Sequence, residues 1–455
     1  MPDEAKPLDR RHARYALALL VLLYVINYVD RQVLAVLLEP IKQELHASDT
    51  AMGLLTGLAF ALFYTTAGVP IARLADRGNR RNVIVWGVVV WSAMTAFCGL
   101  TRTFTQLAVA RVGVGIGEAA LNPAAHSLIS DYFPPHRRAT ALAIFNMGGN
   151  IGVMLGFIAG GWIGETFGWR TAFMVVGLPG LAAALLTRLT LREPLRGASD
   201  SQSDSQSDSQ SDSQSDSQSD RQSDAAEVPR FREVVSFMLS RPTFGHVSLA
   251  AAFYVFAAYG CTIWGATFLI RVHGMSLAET GLWMGLVQGI GGGLGTFLGG
   301  HLADRFGQRD ARLLVWIPAL GGVLAVPLLG VFLFAPTPAL ALAGYAPAMV
   351  FSLFFVGPSY SVVQGLARVR MRAQAAALVL LTMNLIGLGI APLVVGALND
   401  ALSSRFGDEA IRYSLLVTAA ASLWAVAHSL LAARTIREDL AARRDGVDAL
   451  ARPST

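Results

Sequence analysis

The chain has 455 residues, of which 53% are hydrophobic and only 15% are charged. Soluble domains carry about 25% charged residues, so this composition excludes an ordinary soluble enzyme and indicates a membrane protein. Basic membrane-flanking loops account for the net charge of +5 better than nucleic-acid binding does. Both cysteines, Cys98 and Cys261, lie in apolar segments and give neither a disulfide pattern nor metal-ligand spacing.

Twelve stretches of about 20 mostly apolar residues are long enough to span a bilayer. They cover residues 15–38, 51–75, 82–101, 104–129, 138–164, 169–190, 243–270, 279–303, 311–334, 338–365, 374–399 and 411–433. The first stretch is not followed by a small-residue cleavage site, so we expect a retained helix and not a signal peptide. Most arginines lie near the termini and after the even-numbered stretches, which predicts that both termini are cytoplasmic.

The first span carries an acid and a base side by side, Asp30 and Arg31, between long apolar runs. Asn27 lies three residues before Asp30, so all three side chains share one helix face. Ionisable groups inside a bilayer are costly unless they face protein, water or a partner. We therefore expect this face to line a polar pathway in which Asn27 and Arg31 contact the substrate.

Two similar loops follow the second and the eighth spans, ARLADRGNRR at 72–81 and GHLADRFGQR at 300–309. A repeat at the same place in two six-helix halves is typical of secondary transporters. Positive-inside anchoring explains the arginines of these loops but not the aspartates. We expect a charge latch that breaks when the halves rock, formed by Asp76, Arg77, Arg81, Asp304, Arg305 and Arg309.

The fourth span contains RVGVGIGEAALNP, in which Arg111, Gly115, Glu118 and Asn122 form one polar stripe. At about 1.5 Å of rise per residue, Arg111 reaches the depth of Asp30 and Glu118 lies two turns deeper. We expect Asp30 to pair with Arg111. Arg31 either extends toward Glu118 or stays available for an anionic headgroup. This layout predicts proton coupling through Asp30, Glu118 and Arg111, with Asn122 as a substrate contact.

The segment 191–242 joins the two halves and contains SQSD repeats from Ser199 to Asp220. These repeats have no apolar side chain to bury, which predicts a disordered, solvated tether. A phosphorylation or docking segment is the alternative.

Apart from Glu279 at the end of one span, the spans of the second half contain no acidic residue, so the charges expected to act in transport lie in the first half. Neutral polar side chains there are candidates for substrate contacts or for hydrogen bonds between helices. The substrate contacts that we predict are Trp264, Tyr360 and Gln364. Further candidates for the cavity wall are Tyr254, Tyr259, Thr262, Gln288 and Asn384.

With these motifs the chain resembles the major facilitator superfamily along essentially its whole length. Residues 300–309 match the loop motif Gly-x-Leu-Ala-Asp-Arg-x-Gly-x-Arg, whereas in the first copy Gly78 directly follows Asp76 and Arg77. Arg111 and its glycines are similar to the fourth-helix motif, in which the arginine is linked to proton coupling. The fifth span resembles the antiporter motif at Gly152, Gly156, Gly160 and Gly161, but Phe157 stands in place of its proline.

Within the superfamily, NYVDR at 27–31 and GIGEA at 115–119 together resemble the Spinster-like transporters. Eukaryotic members of that branch move sphingosine-1-phosphate or lysosomal lipids. The motif NYVDR is also similar to a motif in organic-anion/proton symporters of the same superfamily.

The predicted fold is an all-α membrane protein with twelve transmembrane helices in two pseudo-symmetric bundles of six. Residues 1–190 form the first bundle, 191–242 the cytoplasmic linker, and 243–455 the second bundle and tail. The resemblance implies a proton-coupled transporter of an amphipathic lipid or organic anion, acting by alternating access in a bacterial inner membrane. We expect a functional monomer without cofactor or metal and without nucleic-acid partners.

Two alternatives stay open. One is an organic-anion/proton symporter of the same superfamily, and the other is a membrane receptor or scaffold that does not transport. An enzyme is not expected, because the sequence has no nucleophile–base pair, metal-ligand spacing or phosphate-binding loop.

Overall fold

The structure is a computed structural model that describes residues 10–197 and 231–451, and every regular element in these ranges is helical. The SQSD repeat lies outside the described residues, so its role as a tether stays a prediction. The membrane helices are α1 Arg10–Val36, α2 Asp49–Arg77, α3 Arg80–Cys98, α4 104–132, α5 Pro135–Phe167, α6 Trp169–Thr190, α7 Pro242–His273, α8 277–307, α9 Leu313–Phe334, α10 Pro338–Leu366, α11 372–406 and α12 Leu416–Ala451.

By length and composition, nine helical stretches in the described ranges can cross a membrane. One of these stretches, 372–442, contains both α11 and α12, which are joined at Gly407 with a φ of +56°. The nine stretches therefore account for ten of the membrane helices. The remaining two are α4 and α8, whose α-helical runs are interrupted. Two shorter helices, Leu38–Leu45 and Phe231–Leu239, follow α1 and precede α7.

Local sequence signals set several helix starts. The side chains of Ser48, Asn79 and Thr103 each accept a hydrogen bond from the backbone N–H three residues later, at the starts of α2, α3 and α4. Ser276 and Glu279 form a capping box at the start of α8. Such caps satisfy backbone donors that the helix itself leaves free.

Each half of the chain forms a bundle with its own core. One apolar cluster joins α1, α3, α4, α5 and α6, and another joins α7, α9, α10, α11 and α12. The short helix Phe231–Leu239 adds Val234 and Met238 to the second cluster. Many large apolar side chains remain exposed on the outside, among them Trp86, Trp162 and Phe297. A bilayer accounts for this exposed apolar surface.

We call the face at which α1 begins and α12 ends the terminal face, and the opposite face the distal face. Towards the distal face the bundles meet along two seams, α2 against α11 and α5 against α8. A third apolar cluster there contains residues of both bundles.

Glycines allow the helices to approach each other closely at both seams. A Cβ atom on Gly57 would lie 2.4 Å from the carbonyl oxygen of Gly389, and one on Gly161 would lie 2.4 Å from that of Leu277. The helices at the seams are locally distorted as well. Leu55–Ala59 in α2, Val287–Gly291 in α8 and Met383–Ile390 in α11 are π-helical turns, which are frequent at functional sites.

Candidate functional site

A cavity of about 240 Å³ lies between the two bundles, roughly halfway along the helices. Both polar and apolar side chains line it, and they come from α1, α5, α7, α8, α10 and α11. The polar members are Tyr28, Arg31, Gln32, Asn150, Tyr259, Thr262 and Gln288. The remaining wall consists of Val153, Val255, Ala258, Gly292, Met349, Leu353 and Leu388.

Arg31 of α1 connects this cavity to a buried acid on α4. Its Nε and Nη2 atoms donate to Oε2 of Glu118 at 3.1 and 2.6 Å. The rings of Tyr28, Phe60 and Tyr64 lie 4.7–5.3 Å from the guanidinium carbon, within the range of cation–π interactions. The α-helical ladder of α4 stops directly after Glu118, at a turn whose alanines are buried against protein. Such a break in a membrane helix is tolerated where protein covers the backbone.

Asp30 and Arg111 lie at the same depth, but they do not form the expected charge pair. The Nη1 atom of Arg111 donates to the backbone oxygen of Asp30 at 3.4 Å, and the Asp30 carboxylate makes no ion pair with any described residue. Oδ2 of Asp30 accepts a hydrogen bond from Thr95 at 3.3 Å. The prediction of a direct Asp30–Arg111 pair is therefore wrong for this conformation. Helical rise fixes the depth of a residue but not which acceptor a long guanidinium faces.

Asn27 and Asn122 flank this charged region. Asn27 is buried on the same face of α1, and its Nδ2 atom has no hydrogen-bond partner among the described residues. Nδ2 of Asn122 donates to the hydroxyl of Tyr64 at 3.3 Å, which places Asn122 beside the aromatic rings around Arg31. Neither asparagine belongs to the cavity wall, so their substrate contacts stay predictions.

The three substrate contacts predicted in the second bundle lie elsewhere than the cavity wall. Trp264 is fully buried, and its indole N–H donates to the carbonyl oxygen of Pro392 at 2.9 Å. The prediction that Trp264 contacts the substrate is therefore wrong for this conformation. Its indole N–H instead joins α7 to α11. Tyr360 is partly buried and Gln364 is exposed, and neither is part of the cavity wall.

Tyr28, Gln32 and Asn150 line the cavity although the sequence does not single them out. Tyr28 precedes Arg31 by three residues, a spacing that places both on one helix face and is a usable signal. Asn150 stands between glycines of α5, and only the tertiary structure shows that it faces the second bundle.

The loop aspartates of the predicted latch are solvent-exposed. Among the described residues, neither Asp76 nor Asp304 has an ion-pair partner, and Arg77, Arg305 and Arg309 are exposed as well. The latch predicted for these residues is not assembled in this conformation. Arg81 instead uses its backbone N–H and guanidinium within its own bundle, on Glu193 and the carbonyl oxygen of Leu191.

Among the described residues, Arg80 and Arg437 form ion pairs at the terminal face, each with acids from its own half of the chain. Arg80 is buried and contacts Asp131 and Glu193. In the second bundle, Nη2 of Arg437 lies 2.5 Å from Oδ2 of Asp310. This hydrogen bond holds the pKa of the partly exposed Asp310 carboxyl below its usual value.

At the distal face, by contrast, ionic contacts cross from one bundle to the other. Arg271 of α7 binds Asp49 through both terminal nitrogens at 2.6 and 2.8 Å, and its Nε donates to Glu39 at 2.6 Å. Asp400 of α11 caps the start of α2 by accepting from the backbone N–H groups of Asp49 and Thr50 at 3.0 and 2.8 Å. We call Arg271, Glu39, Asp49 and Asp400 the distal cluster.

A second cap crosses the other seam. Oε2 of Glu165, near the end of α5, accepts a hydrogen bond from the backbone N–H of Ala278 in the first turn of α8 at 2.6 Å. Carboxylates are favourable at helix N-termini, so these contacts stabilise the arrangement in which the distal face is closed.

The model of the Major Facilitator Superfamily matches residues 20–392. An "MFS-type efflux pump" of Mycolicibacterium smegmatis is 32% identical over 440 residues, which are 96% of each chain. "Protein spinster homolog 1" of Xenopus tropicalis is 25% identical over 438 residues, covering 90% of this chain and 78% of that protein.

A solved structure shows the same architecture. The crystal structure of a bacterial homolog of the human lysosomal transporter Spinster, in an inward-facing and unoccupied conformation, superposes with a TM-score of 0.83. That chain is 32% identical, and the match covers 95% of this chain and 99% of that one. The chain therefore belongs to the Major Facilitator Superfamily, as a Spinster-like transporter.

Proposed function

We propose that this protein carries an amphipathic organic anion or anionic lipid across the membrane by alternating access, and that protons drive the transport. The observation that carries this proposal is the enclosed Arg31–Glu118 pair at the edge of the central cavity. One member of the pair lines the cavity and the other is fully buried behind it.

The pair links anion binding to proton binding. A substrate anion that reaches Arg31 competes with Glu118 for the same guanidinium. A carboxylate that loses its counter-ion in a low-dielectric site is strongly disfavoured, so Glu118 takes up a proton when the anion displaces it. Protonation of Glu118 correspondingly frees Arg31 for the anion.

Asp30 supplies a second acidic group to this proton pathway. It is fully buried, and its Oδ1 atom has no hydrogen-bond partner among the described residues. Arg111 contacts the backbone of the same residue, so its charge lies close to the carboxylate. A change in the position of Arg111 alters the charge near Asp30, which couples protonation to helix movement.

The distal cluster and the two seams hold one side of the cavity closed. The positive-inside rule assigns the basic terminal face to the cytoplasm, together with both termini. We propose that the protein lies with this orientation in a bacterial cell membrane, so that the state with a closed distal face is inward-facing. Transport requires a second state in which the distal cluster separates and the terminal ends of the bundles come together.

The cavity wall fits an amphipathic substrate. Arg31 offers a cation for an anionic group, whereas Val153, Val255, Met349 and Leu353 offer an apolar surface for a hydrocarbon portion.

A symporter of small organic anions is the second candidate. The observation in its favour is that half of the residues that line the cavity are polar, including Gln32, Asn150 and Gln288. A small hydroxylated carboxylate uses such groups, whereas a long hydrocarbon chain does not.

Uptake in proteoliposomes tests both functions. The purified protein is reconstituted, a pH gradient is applied, and accumulation is measured for labelled lysophospholipids, decanoate and a small sugar acid. We expect accumulation of an amphipathic anion that collapses when a protonophore removes the gradient. Accumulation of the sugar acid alone favours the symporter, and no flux of any anion by a monodisperse protein refutes both candidates.

A further inference from the structure

One polar side chain of the second bundle is held in a single orientation at the cavity wall. Gln288, in the π-helical turn of α8, is 97% buried and lines the cavity that Arg31 enters from the first bundle. Its Nε2 atom lies 2.8 Å from Oγ1 of Thr262 and 2.8 Å from the hydroxyl oxygen of Tyr345.

The hydroxyl of Thr262 decides which way the carboxamide points. It donates its only proton to the carbonyl oxygen of Ala258 at 2.8 Å, so towards Gln288 it can only accept. The NH₂ end of Gln288 must therefore face Thr262. Both N–H groups of a carboxamide are then engaged, one by Thr262 and one by Tyr345.

This arrangement leaves the carbonyl end of Gln288 for a ligand. Among the described residues, Oε1 of Gln288 takes part in no hydrogen bond. Gln32 of α1 lines the same cavity, is nearly fully buried, and has an Oε1 atom without a partner in the described ranges. Each bundle thus contributes a carboxamide oxygen that can accept a hydrogen bond but has no protein donor.

We infer that Gln288 determines specificity by accepting a hydrogen bond from a hydroxyl or ammonium group on the substrate whose anionic group Arg31 binds. This inference rests on the proposed transport of an amphipathic anion. A substrate that lacks the donor leaves a buried acceptor unpaired, and sites built in this way reject such analogues. Thr262 is a positioning residue, because it acts on the substrate only through the orientation of Gln288.

Binding of matched amphiphiles tests the inference. The full-length protein in nanodiscs is titrated calorimetrically with decanoate, with hydroxydecanoates and with aminodecanoates, which share chain length and carboxylate. The donor is placed at the third, sixth and tenth carbon in separate probes, so that the result does not depend on one spacing. We expect at least one donor-bearing probe to bind about five- to tenfold more tightly than decanoate. The hydroxy and amino series show which donor the site takes.

The variant Gln288→Met removes the carboxamide but keeps a side chain of similar length. We expect its affinity for donor-bearing probes to fall to its own affinity for decanoate, and a monodisperse elution profile reports correct folding. Thr262→Val should lose most of the preference and Thr262→Ser should keep it. Gln308→Met changes an exposed glutamine outside the cavity and is the matched control.

The outcomes separate this inference from the function on which it rests. If decanoate binds but every donor-bearing probe binds equally well, or if Gln288→Met keeps the preference, the role of Gln288 is refuted and the anion site stands. If a monodisperse protein binds none of the probes, the proposed class of substrate is refuted and this inference falls with it.

Discussion

The Nη2 atom of Arg31 lies 2.6 Å from Oε2 of Glu118, and this ion pair is almost completely enclosed by protein. Desolvation makes such a pair expensive, and removal of one partner leaves an uncompensated charge in a dry site. The pair is therefore poor evidence for a purely stabilising role. Its place at the edge of a cavity between two bundles suits a group that changes partner during transport.

Glu118→Gln should uncouple transport from the proton gradient. The amide resembles a permanently protonated acid, so Arg31 stays available for the anion but no proton is taken up or released. We expect accumulation against a pH gradient to fall to the level of protein-free liposomes, while exchange of internal for external substrate continues. Counterflow and gradient-driven uptake are measured in the same proteoliposomes.

Glu409→Gln is the matched control, because Glu409 is an exposed acid on the distal face that pairs with Arg412 three residues away. It should keep gradient-driven uptake. Wild-type accumulation by Glu118→Gln would exclude Glu118 as the coupling group.

Arg271→Gln should favour opening of the distal face. In the closed state the substitution leaves Glu39 without the guanidinium and Asp49 with only the ammonium group of Lys42, whereas water solvates both acids when the face opens. We expect the equilibrium to shift by roughly 2 kcal/mol, about thirtyfold, towards the open state. Spin labels at the exposed positions His46 and Ser404, in a background without native cysteines, report the distance across this face.

Arg405→Gln changes a second distal arginine that is exposed and has no ion pair among the described residues, so it should leave the distances unchanged. Equal distance distributions for Arg271→Gln and the unmodified protein would show that the distal cluster does not set the conformational equilibrium.

Gly57→Ala should disturb the seam between α2 and α11. The new Cβ atom would lie 2.4 Å from the backbone oxygen of Gly389, a contact that only separation of the helices relieves. Gly68→Ala in the same helix places its Cβ where no other atom lies within 4 Å, and alanine is the better helix former by about 1 kcal/mol.

We expect the melting temperature to fall for Gly57→Ala and to stay or rise slightly for Gly68→Ala, as measured by fluorescence-detected size-exclusion chromatography after heating. Equal melting temperatures would mean that the seam adapts to an added methyl group.

Arg80→Ala should destabilise the first bundle. Arg80 is buried against Asp131 and Glu193, and its Nη2 atom also donates to the carbonyl oxygen of Pro194 at 2.9 Å. Loss of this cation leaves two acids without their partner, which should cost about 2–4 kcal/mol of folding free energy.

Arg77→Ala, three residues earlier, removes an exposed arginine and should change stability by less than about 0.5 kcal/mol. Thermal unfolding of both variants in the same detergent makes the comparison. A loss for Arg77→Ala as large as that for Arg80→Ala would contradict the assignment of the buried cluster to Arg80.

The sequence by itself determined the features that depend on local pattern. Runs of apolar residues specify membrane helices because a bilayer forces the backbone to satisfy its own hydrogen bonds. The repeated Leu-Ala-Asp-Arg loops indicate two related halves, and helical spacing places Asn27, Asp30 and Arg31 on one face. Rise per residue correctly put Arg111 at the depth of Asp30.

Only the tertiary structure decided which partners these groups meet. Arg111 faces the backbone of Asp30, and Arg31 takes Glu118, because long side chains choose among acceptors that neighbouring helices supply. Trp264 bonds to Pro392 and Arg271 reaches Asp49, contacts between helices far apart in the sequence. Local spacing carries no information on such pairs, because the packing of helices brings them together, within the second bundle for Trp264 and between the bundles for Arg271.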